Sequence, residues 1–295
     1  MNRLRIPQSL VLALGVVATS LAGCRSAQHI LPDHPRVAPG VAMQDVTFFS
    51  PALNRNMTYR VFLPSAIEAA QKLPVVYLLH GNGGGFQNWS NYSDVSAYAA
   101  RGLILVMPDG GSSYFMNSAE KPEDRYEDYL VKDILADVEG RFPAAKGRES
   151  RAVVGVSMGG FAAVKLALTH PELFSFAGAI SPAIDVPSRR FSLRRWGQGL
   201  RFRAIFGPEG SESRRRSDPF VLVRSVDPAG TSYLYVTAGE QEALLEPNRR
   251  FAALLKQYHF SYEFHTKPGG HDWSEWDTQI PGCFESLRMH LKPSH

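Results

Sequence analysis

The pentapeptide Gly155-Val156-Ser157-Met158-Gly159 lies between a short apolar run, Ala152-Val153-Val154, and a helix-forming stretch, Phe161 to Leu168. A G-x-S-x-G pattern at a strand-to-helix junction demands a very tight turn. Side chains two before and two after the serine would strike neighbouring backbone. Glycine at 155, 159 and 160 removes those collisions and accepts the dihedrals such a turn requires. The serine hydroxyl is then presented at the carboxyl edge of a sheet. Glycine and serine are common residues, so the pattern acquires meaning only from its surroundings.

Those surroundings alternate between strand and helix. Thr58 to Leu63 alternates like a half-exposed strand, and Val46 to Phe49 suits its hairpin partner. Leu73 to Leu79 and Leu103 to Met107 are almost wholly apolar, as strands buried on both faces are. Tyr126 to Phe142 has helical period, with Leu130, Ile134, Leu135 and Val138 on one face. After the serine come a helix, a strand at Phe174 to Ile180, a strand at Tyr233 to Thr237 and a helix over Asn248 to Tyr258. A last strand at Phe260 to Phe264 and a terminal helix after His271 complete the pattern. The alternation predicts an α/β fold with a mostly parallel central sheet and helices on both faces.

The first residues do not belong to that fold. Arg3 and Arg5 form a positive leader, and Leu10 to Ala22 is an uncharged apolar stretch too short to span a bilayer. It ends in Leu21-Ala22-Gly23-Cys24, which resembles a bacterial lipobox, so residues 1–23 read as a signal peptide and Cys24 as the lipidated first residue of the mature chain. The expected location is the cell envelope. Arg25 is not the aspartate usually linked with inner-membrane retention, so the outer membrane is favoured if the host has one. Residues 24–42, with Pro32, Pro35 and Pro39, read as a tether reaching on the order of 50 Å if extended.

Removing 23 of the 295 residues leaves 272, with 30 basic against 28 acidic side chains, a formal charge of +2. The sequence pI near 9.1 therefore owes part of its height to the leader and does not point to nucleic acid. A chain of this length can bury the core of one large domain, expected over residues 43–295. Cys24 and Cys283 are its two cysteines, so lipidation of the first leaves no intrachain disulfide.

A serine hydroxyl becomes a nucleophile only with a base, a group that orients the base, and donors for the oxyanion. His80-Gly81-Asn82-Gly83-Gly84-Gly85 follows a buried strand, and its N–H groups can approach a ligand closely. No Gly-Lys-Ser/Thr follows it, which argues against a phosphate loop. The oxyanion donors expected are the N–H of Asn82, or of a neighbouring glycine, and that of Met158. His80 precedes the serine and is expected to be structural. His271 follows the last strand through Pro268-Gly269-Gly270 and opens the last helix, the place for the base. The acid should follow the strand ending at Thr237, where Glu240, Glu242 and Glu246 stand and no aspartate does. Glu242 is the choice, with Glu246 as runner-up. Asp109 also ends a strand, but the chain order Ser…acid…His disfavours it. No zinc-type ligand spacing occurs, and no metal or cofactor is called for.

Residues 185–230 interrupt the alternation and hold nine arginines between Arg189 and Arg216, including Arg194 and Arg195. They read first as a solvated basic insertion. A partial lid over the sheet edge, or a contact surface for anionic lipid headgroups or acidic glycans, is the alternative.

Four blocks stand in order at strand ends: His80-Gly81-x-Gly83-Gly84, Val106 to Gly111, Gly155 to Gly160, and Gly270-His271-Asp272-Trp273-x-x-Trp276. On these, residues 45–290 resemble the esterase D and feruloyl-esterase branch of the α/β-hydrolase superfamily, which also holds antigen 85-type mycolyltransferases. The resemblance implies Ser157 as nucleophile, His271 as base, and the N–H groups of Asn82 and Met158 as oxyanion donors. The branch commonly carries Gly-x-x-Asp-x-Leu-Leu before the late helix. Here Gly239 to Leu245 places Glu242 at the aspartate position. The function implied is a lipid-anchored serine carboxylic-ester hydrolase acting through an acyl-enzyme on small-molecule or polysaccharide esters. Two alternatives are an envelope acyltransferase and a non-catalytic lipoprotein that binds glycans or partners.

Overall fold

In the computed structural model, which describes residues 32–190 and 196–292, eight strands build one sheet. They are β1 (Val41–Ser50), β2 (Arg55–Pro64), β3 (Val75–Leu79), β4 (Ile104–Pro108), β5 (Arg151–Val156), β6 (Phe176–Ile180), β7 (Tyr233–Gly239) and β8 (Tyr262–Lys267). Their spatial order is β1-β2-β4-β3-β5-β6-β7-β8. The β1–β2 and β2–β4 pairings are antiparallel and the others parallel. This is the mostly parallel sheet that the alternation of apolar runs and helical stretches implies, with a hairpin added at one edge.

β3, β4 and β6 are buried along their whole length, and β5 all but its first residue. Successive side chains feed two cores on opposite faces: Val75, Tyr77 and Leu79 enter one, Val76 and Leu78 the other. The first core lies under α3 (Tyr126–Asp128), a π-helical turn (Tyr129–Ile134) and α4 (Leu135–Arg141), together with α5 (Met158–Thr169). α5 is apolar nearly all round and buried except at its last residue. α6 (Trp196–Phe206) and α9 (Leu245–Gln257) add Phe202, Ile205, Phe206, Phe251 and Leu255 to that core. Short helices α7 (Glu212–Arg216) and α8 (Pro219–Leu222) lie between them in the chain. The second core is covered by α1 (Asn88–Tyr92), α2 (Ser96–Ala99) and α10 (Trp273–His290), with Trp89, Ile280, Cys283 and Phe284 inside.

Two expectations change here. The arginine-rich excursion is not a solvated insertion. Phe202 and Phe206 pack edge-on against Tyr114, while the Ala119 and Glu120 N–H groups donate to the carbonyls of Ile205 and Ala204. Alternating an apolar stripe with arginines lets α6 bury one side and hold its charges on the other.

The tether expected over residues 24–42 does not extend to Ala42, because from Asp33 onward the chain is held to the domain. Arg60 on β2 is 0% exposed, and its guanidinium donates to both carboxylate oxygens of Asp33 (3.0 and 2.6 Å), both of Asp45 (2.7 and 2.8 Å), and Ser90 Oγ (2.9 Å). A buried guanidinium needs such a full set of acceptors. Beside this clamp, the Arg36 N–H donates to the Ser90 carbonyl and the Ala38 N–H to Ser96 Oγ. The expected signal peptide over residues 1–23, Cys24, Arg194 and Arg195 lie outside the described residues. Among the described residues no helix is long and apolar enough to cross a membrane.

Candidate active site

Ser157 sits between β5 and α5 with φ of +54°, in a region that β-carbon-bearing residues rarely occupy. The turn is possible because its flanks carry no side chain. A Cβ at Gly155 would come within 2.2 Å of the Gly159 carbonyl, and one at Gly159 within 2.2 Å of the Leu79 oxygen. Backbone bonds brace the strained residue: the Ser157 N–H donates to Ile180 O (2.9 Å), and the Ser157 carbonyl accepts from Ala183 (3.1 Å). Strain held in this way projects the side chain from the sheet edge rather than relaxing.

The fold brings to that hydroxyl a histidine from 114 positions further along the chain. His271 Nε2 lies 2.8 Å from Ser157 Oγ, and His271 Nδ1 lies 2.7 Å from Glu242 Oε2. The Glu242 side chain is 0% exposed, and its other oxygen accepts the Gly239 N–H at 3.1 Å. The loops carrying the glutamate and the histidine are laced together. Glu240 N–H donates to Lys267 O, Gln241 N–H donates to Gly269 O, and the Gln241 amide oxygen accepts the Gly269 N–H. Trp276 meets the His271 ring edge-on at 5.0 Å, and Asp272 caps α10 by accepting from Ser274 and Glu275. The imidazole is thus held from three sides. Glu246, the runner-up acid, lies exposed in the first turn of α9 and makes no hydrogen bond to His271.

The glycine-rich loop borders the same space, since a Cβ at Gly81 would stand 3.7 Å from Ser157 Cβ. The Gly81 carbonyl accepts from His80 Nδ1 (2.8 Å) and from the Gly84 N–H (3.1 Å). In a trans peptide the carbonyl and the next N–H point in opposite directions, so these two bonds aim the Asn82 N–H the other way. Met158 is the first residue of α5, where an N–H has no intrahelical partner and the helix dipole is positive. Neither the Asn82 nor the Met158 N–H makes a hydrogen bond among the described residues. The Asn82 N–H is therefore an unused donor with a fixed direction at the edge of the cleft.

His80 has the structural place expected of it. It is 1% exposed; Nδ1 can only donate to the Gly81 carbonyl, and Nε2 can only accept the Gly110 N–H (2.9 Å). That pairing fixes a neutral tautomer, and burial lowers its pKa further, with Asp109 opposing weakly from 3.8 Å. Asp109 itself accepts the Gly111 N–H and does not contact His271.

Ser157, His271 and the glycine-rich loop line one cleft of about 650 Å³, which also includes Tyr114, Arg189, Leu244 and Trp273. Arg189 is oriented by Asp185, whose carboxylate it meets at 2.7 Å. Arg201 of α6 donates to Asn82 Oδ1 (2.5 Å) and to Ser112 O (2.7 Å), tying the excursion to the glycine-rich loop. The sequence alone gives neither arginine a role; the density of arginine in this stretch is the one signal it offers. Among the described residues, no three His, Cys, Asp or Glu side chains are grouped to hold a metal ion.

The Esterase family model matches residues 50–287. An acetyl esterase of Caldicellulosiruptor saccharolyticus is 24% identical over 260 residues, covering 83% of this chain and 97% of that protein. Among solved structures, the fluorophosphonate-binding serine hydrolase FphF of Staphylococcus aureus superposes with a TM-score of 0.73 at 25% identity, covering 84% of this chain and 98% of its own. A ferulic acid esterase superposes with a TM-score of 0.67 at 25% identity, with coverage of 84% and 97%.

Proposed function

Because this chain belongs to the Esterase family and is a serine esterase, we propose that Ser157 is its nucleophile, His271 its general base and Glu242 the group that orients His271. The observation that carries this reading is the unbroken line from Ser157 Oγ through the imidazole to Glu242, at 2.8 and 2.7 Å. Glu242 accepts the Nδ1–H hydrogen bond, which leaves Nε2 unprotonated and facing the hydroxyl. His271 then accepts the Ser157 proton as Oγ attacks the ester carbonyl. The tetrahedral oxyanion is met by the N–H groups of Asn82 and Met158, each worth about 3–4 kcal/mol in sites of this kind. His271 returns the proton to the departing alcohol, and the acyl-enzyme is resolved by water. The His271 side chain is 35% exposed, so water has direct access to it.

The substrates proposed are small acyl esters and acylated polysaccharides. Acetyl and ferulic acid esterases stand among the relatives, and the cleft is open enough for a bulky alcohol. Wild type and Ser157→Ala should be compared on a chain-length series of aryl esters, on feruloyl and acetylated xylan substrates, and for labelling by a fluorophosphonate. Loss of both turnover and labelling in the variant is expected; equal turnover would overturn the assignment. We also propose export and lipid attachment at Cys24, on the strength of the leader and its Leu-Ala-Gly-Cys ending. Metabolic labelling with a fatty-acid analogue should mark the full-length protein and not Cys24→Ser.

A further inference from the structure

Beside the catalytic cleft lies a second cavity of about 300 Å³, between α6, α7 and the chain that follows β6. Its wall includes Arg189, Arg190, Arg203 and Arg214, with Leu200 and Phe202. Arg189 is shared with the catalytic cleft, so the two spaces adjoin. Two of the arginines have their charge met already: Arg189 by Asp185, and Arg203 by Glu120 at 2.8 Å.

Arg214 does not. It is only 7% exposed, its Nε is buried without a hydrogen-bond partner, and it makes no ion pair among the described residues. Burial presses its pKa below the ordinary arginine value, and Glu209, also on the cavity wall, offsets only part of that. Arg190 brings a second guanidinium, likewise without an ion pair among the described residues. A buried guanidinium nitrogen left without an acceptor is costly, and an oxyanion seated against Arg214 Nε would satisfy it while its terminal nitrogens face the cavity. Leu200 and Phe202 give the same space an apolar side, suited to the stem that carries the anion.

We propose that this cavity binds a carboxylate at the far end of the ester substrate, held by Arg214 and Arg190 while the ester carbonyl lies at Ser157. The enzyme is then selective for esters whose acyl chain carries a terminal acid. This rests on Ser157 being the nucleophile, and the test separates the two claims.

Full-length protein is assayed on paired 4-nitrophenyl esters: neutral alkanoates, and hemiesters of dicarboxylic acids matched in length from about four to twelve carbons, a span set by the reach of an extended acyl chain between adjoining cavities. The quantity measured is the ratio of kcat/KM, acid-terminated over neutral. Wild type should favour the hemiester at one or more lengths by about tenfold or more, the scale of a charge-assisted hydrogen bond. Arg214→Met should lower that ratio about tenfold, and Arg190→Met, at a position away from the core, should lower it without disturbing the fold. Arg216→Met should keep it, since Arg216 is exposed and pairs with Glu212 outside the cavity. Calorimetry should detect the free diacid of the preferred length on Ser157→Ala and not on the double variant with Arg214→Met. No preference at any length, or an unchanged ratio in both Arg214→Met and Arg190→Met, overturns the subsite. Failure of wild type on neutral and acidic esters alike would instead tell against the esterase mechanism.

Discussion

Replacing Glu242 by glutamine keeps the shape of the side chain and removes its charge, and the bonds around it set the size of the effect. The carboxylate accepts twice, from His271 Nδ1 and from the Gly239 N–H. An amide has only one acceptor oxygen. If that oxygen faces His271, the NH2 group meets the Gly239 N–H, two donors in a place sealed from water, at a cost of about 1–3 kcal/mol. If it faces Gly239, the NH2 donates to Nδ1 and the ring must carry its proton on Nε2, facing Ser157 Oγ, where it cannot act as a base. Even the productive orientation lacks the negative charge that steadies the imidazolium in the transition state. Charge centres about 4 Å apart at an effective dielectric of about 20 interact by about 4 kcal/mol, close to a thousandfold in rate. With part of the population in the wrong tautomer as well, kcat should fall about 10³- to 10⁴-fold. The assay is kcat on an aryl acetate, with thermal denaturation and fluorophosphonate labelling as controls for folding. Glu246→Gln, at an exposed position, should stay within about twofold of wild type. A loss under about tenfold in Glu242→Gln, or an equal loss in Glu246→Gln, would show that the buried carboxylate does not supply the orienting charge.

Gly159→Ala puts a methyl group 2.2 Å from the Leu79 carbonyl oxygen, so the elbow must open; a stability loss of about 3 kcal/mol in urea denaturation and near-complete loss of turnover are expected. His80 is held neutral with its pKa lowered in the fold, so the unfolded chain binds the extra proton as pH falls below about 6.5. Stability should therefore decline below that pH, and His80→Gln should flatten the decline; His290, whose pKa burial also lowers, should leave a residual slope. A wild-type stability that is flat between about pH 5 and 7 would show the sign to be wrong. Arg201→Met frees the Asn82 side chain and the Ser112 carbonyl and should lower kcat about tenfold with little change in KM. Arg201→Lys should restore only part of this, because an ammonium lacks the planar fork; a change confined to KM would assign Arg201 to substrate binding instead.

The strands that carry the site announce themselves because they are buried on both faces, and a run such as Leu78-Leu79 or Val153-Val154 has few other destinations. Local chemistry also makes the elbow and the Gly-Gly-His turn visible, since each needs glycine at stated positions for steric reasons. Glu242 is the harder choice. Glu240, Glu242 and Glu246 are equally acidic on paper, and only the turn after β7 decides which one is buried against Gly239 and which remain in solvent. Long-range polar pairs leave no local signature at all. Arg60 meets Asp33 across 27 positions and Arg201 meets Asn82 across 119, and nothing in either neighbourhood marks its partner. The prolines near Asp33 mislead for the same reason: they exclude helix, but they do not prevent the intervening N–H groups from finding acceptors on α1 and α2.

The buried Arg60 clamp sets the length of any leash. With the chain fastened at Asp33, a lipid at Cys24, as proposed, would have nine residues between it and the domain, a reach of at most about 28 Å were they extended at polyproline rise, roughly half of what the proline-rich stretch alone would allow. The fastening point is beside the chemistry: the His34 N–H donates to Asn91 on α1, the helix that follows the glycine-rich loop and whose first residue, Asn88, lines the catalytic cleft. If the lipid proposed at Cys24 is attached, an enzyme moored in this way would be a short-range tool, reaching esters in the layer next to its anchoring membrane and leaving more distant ones to diffuse to it.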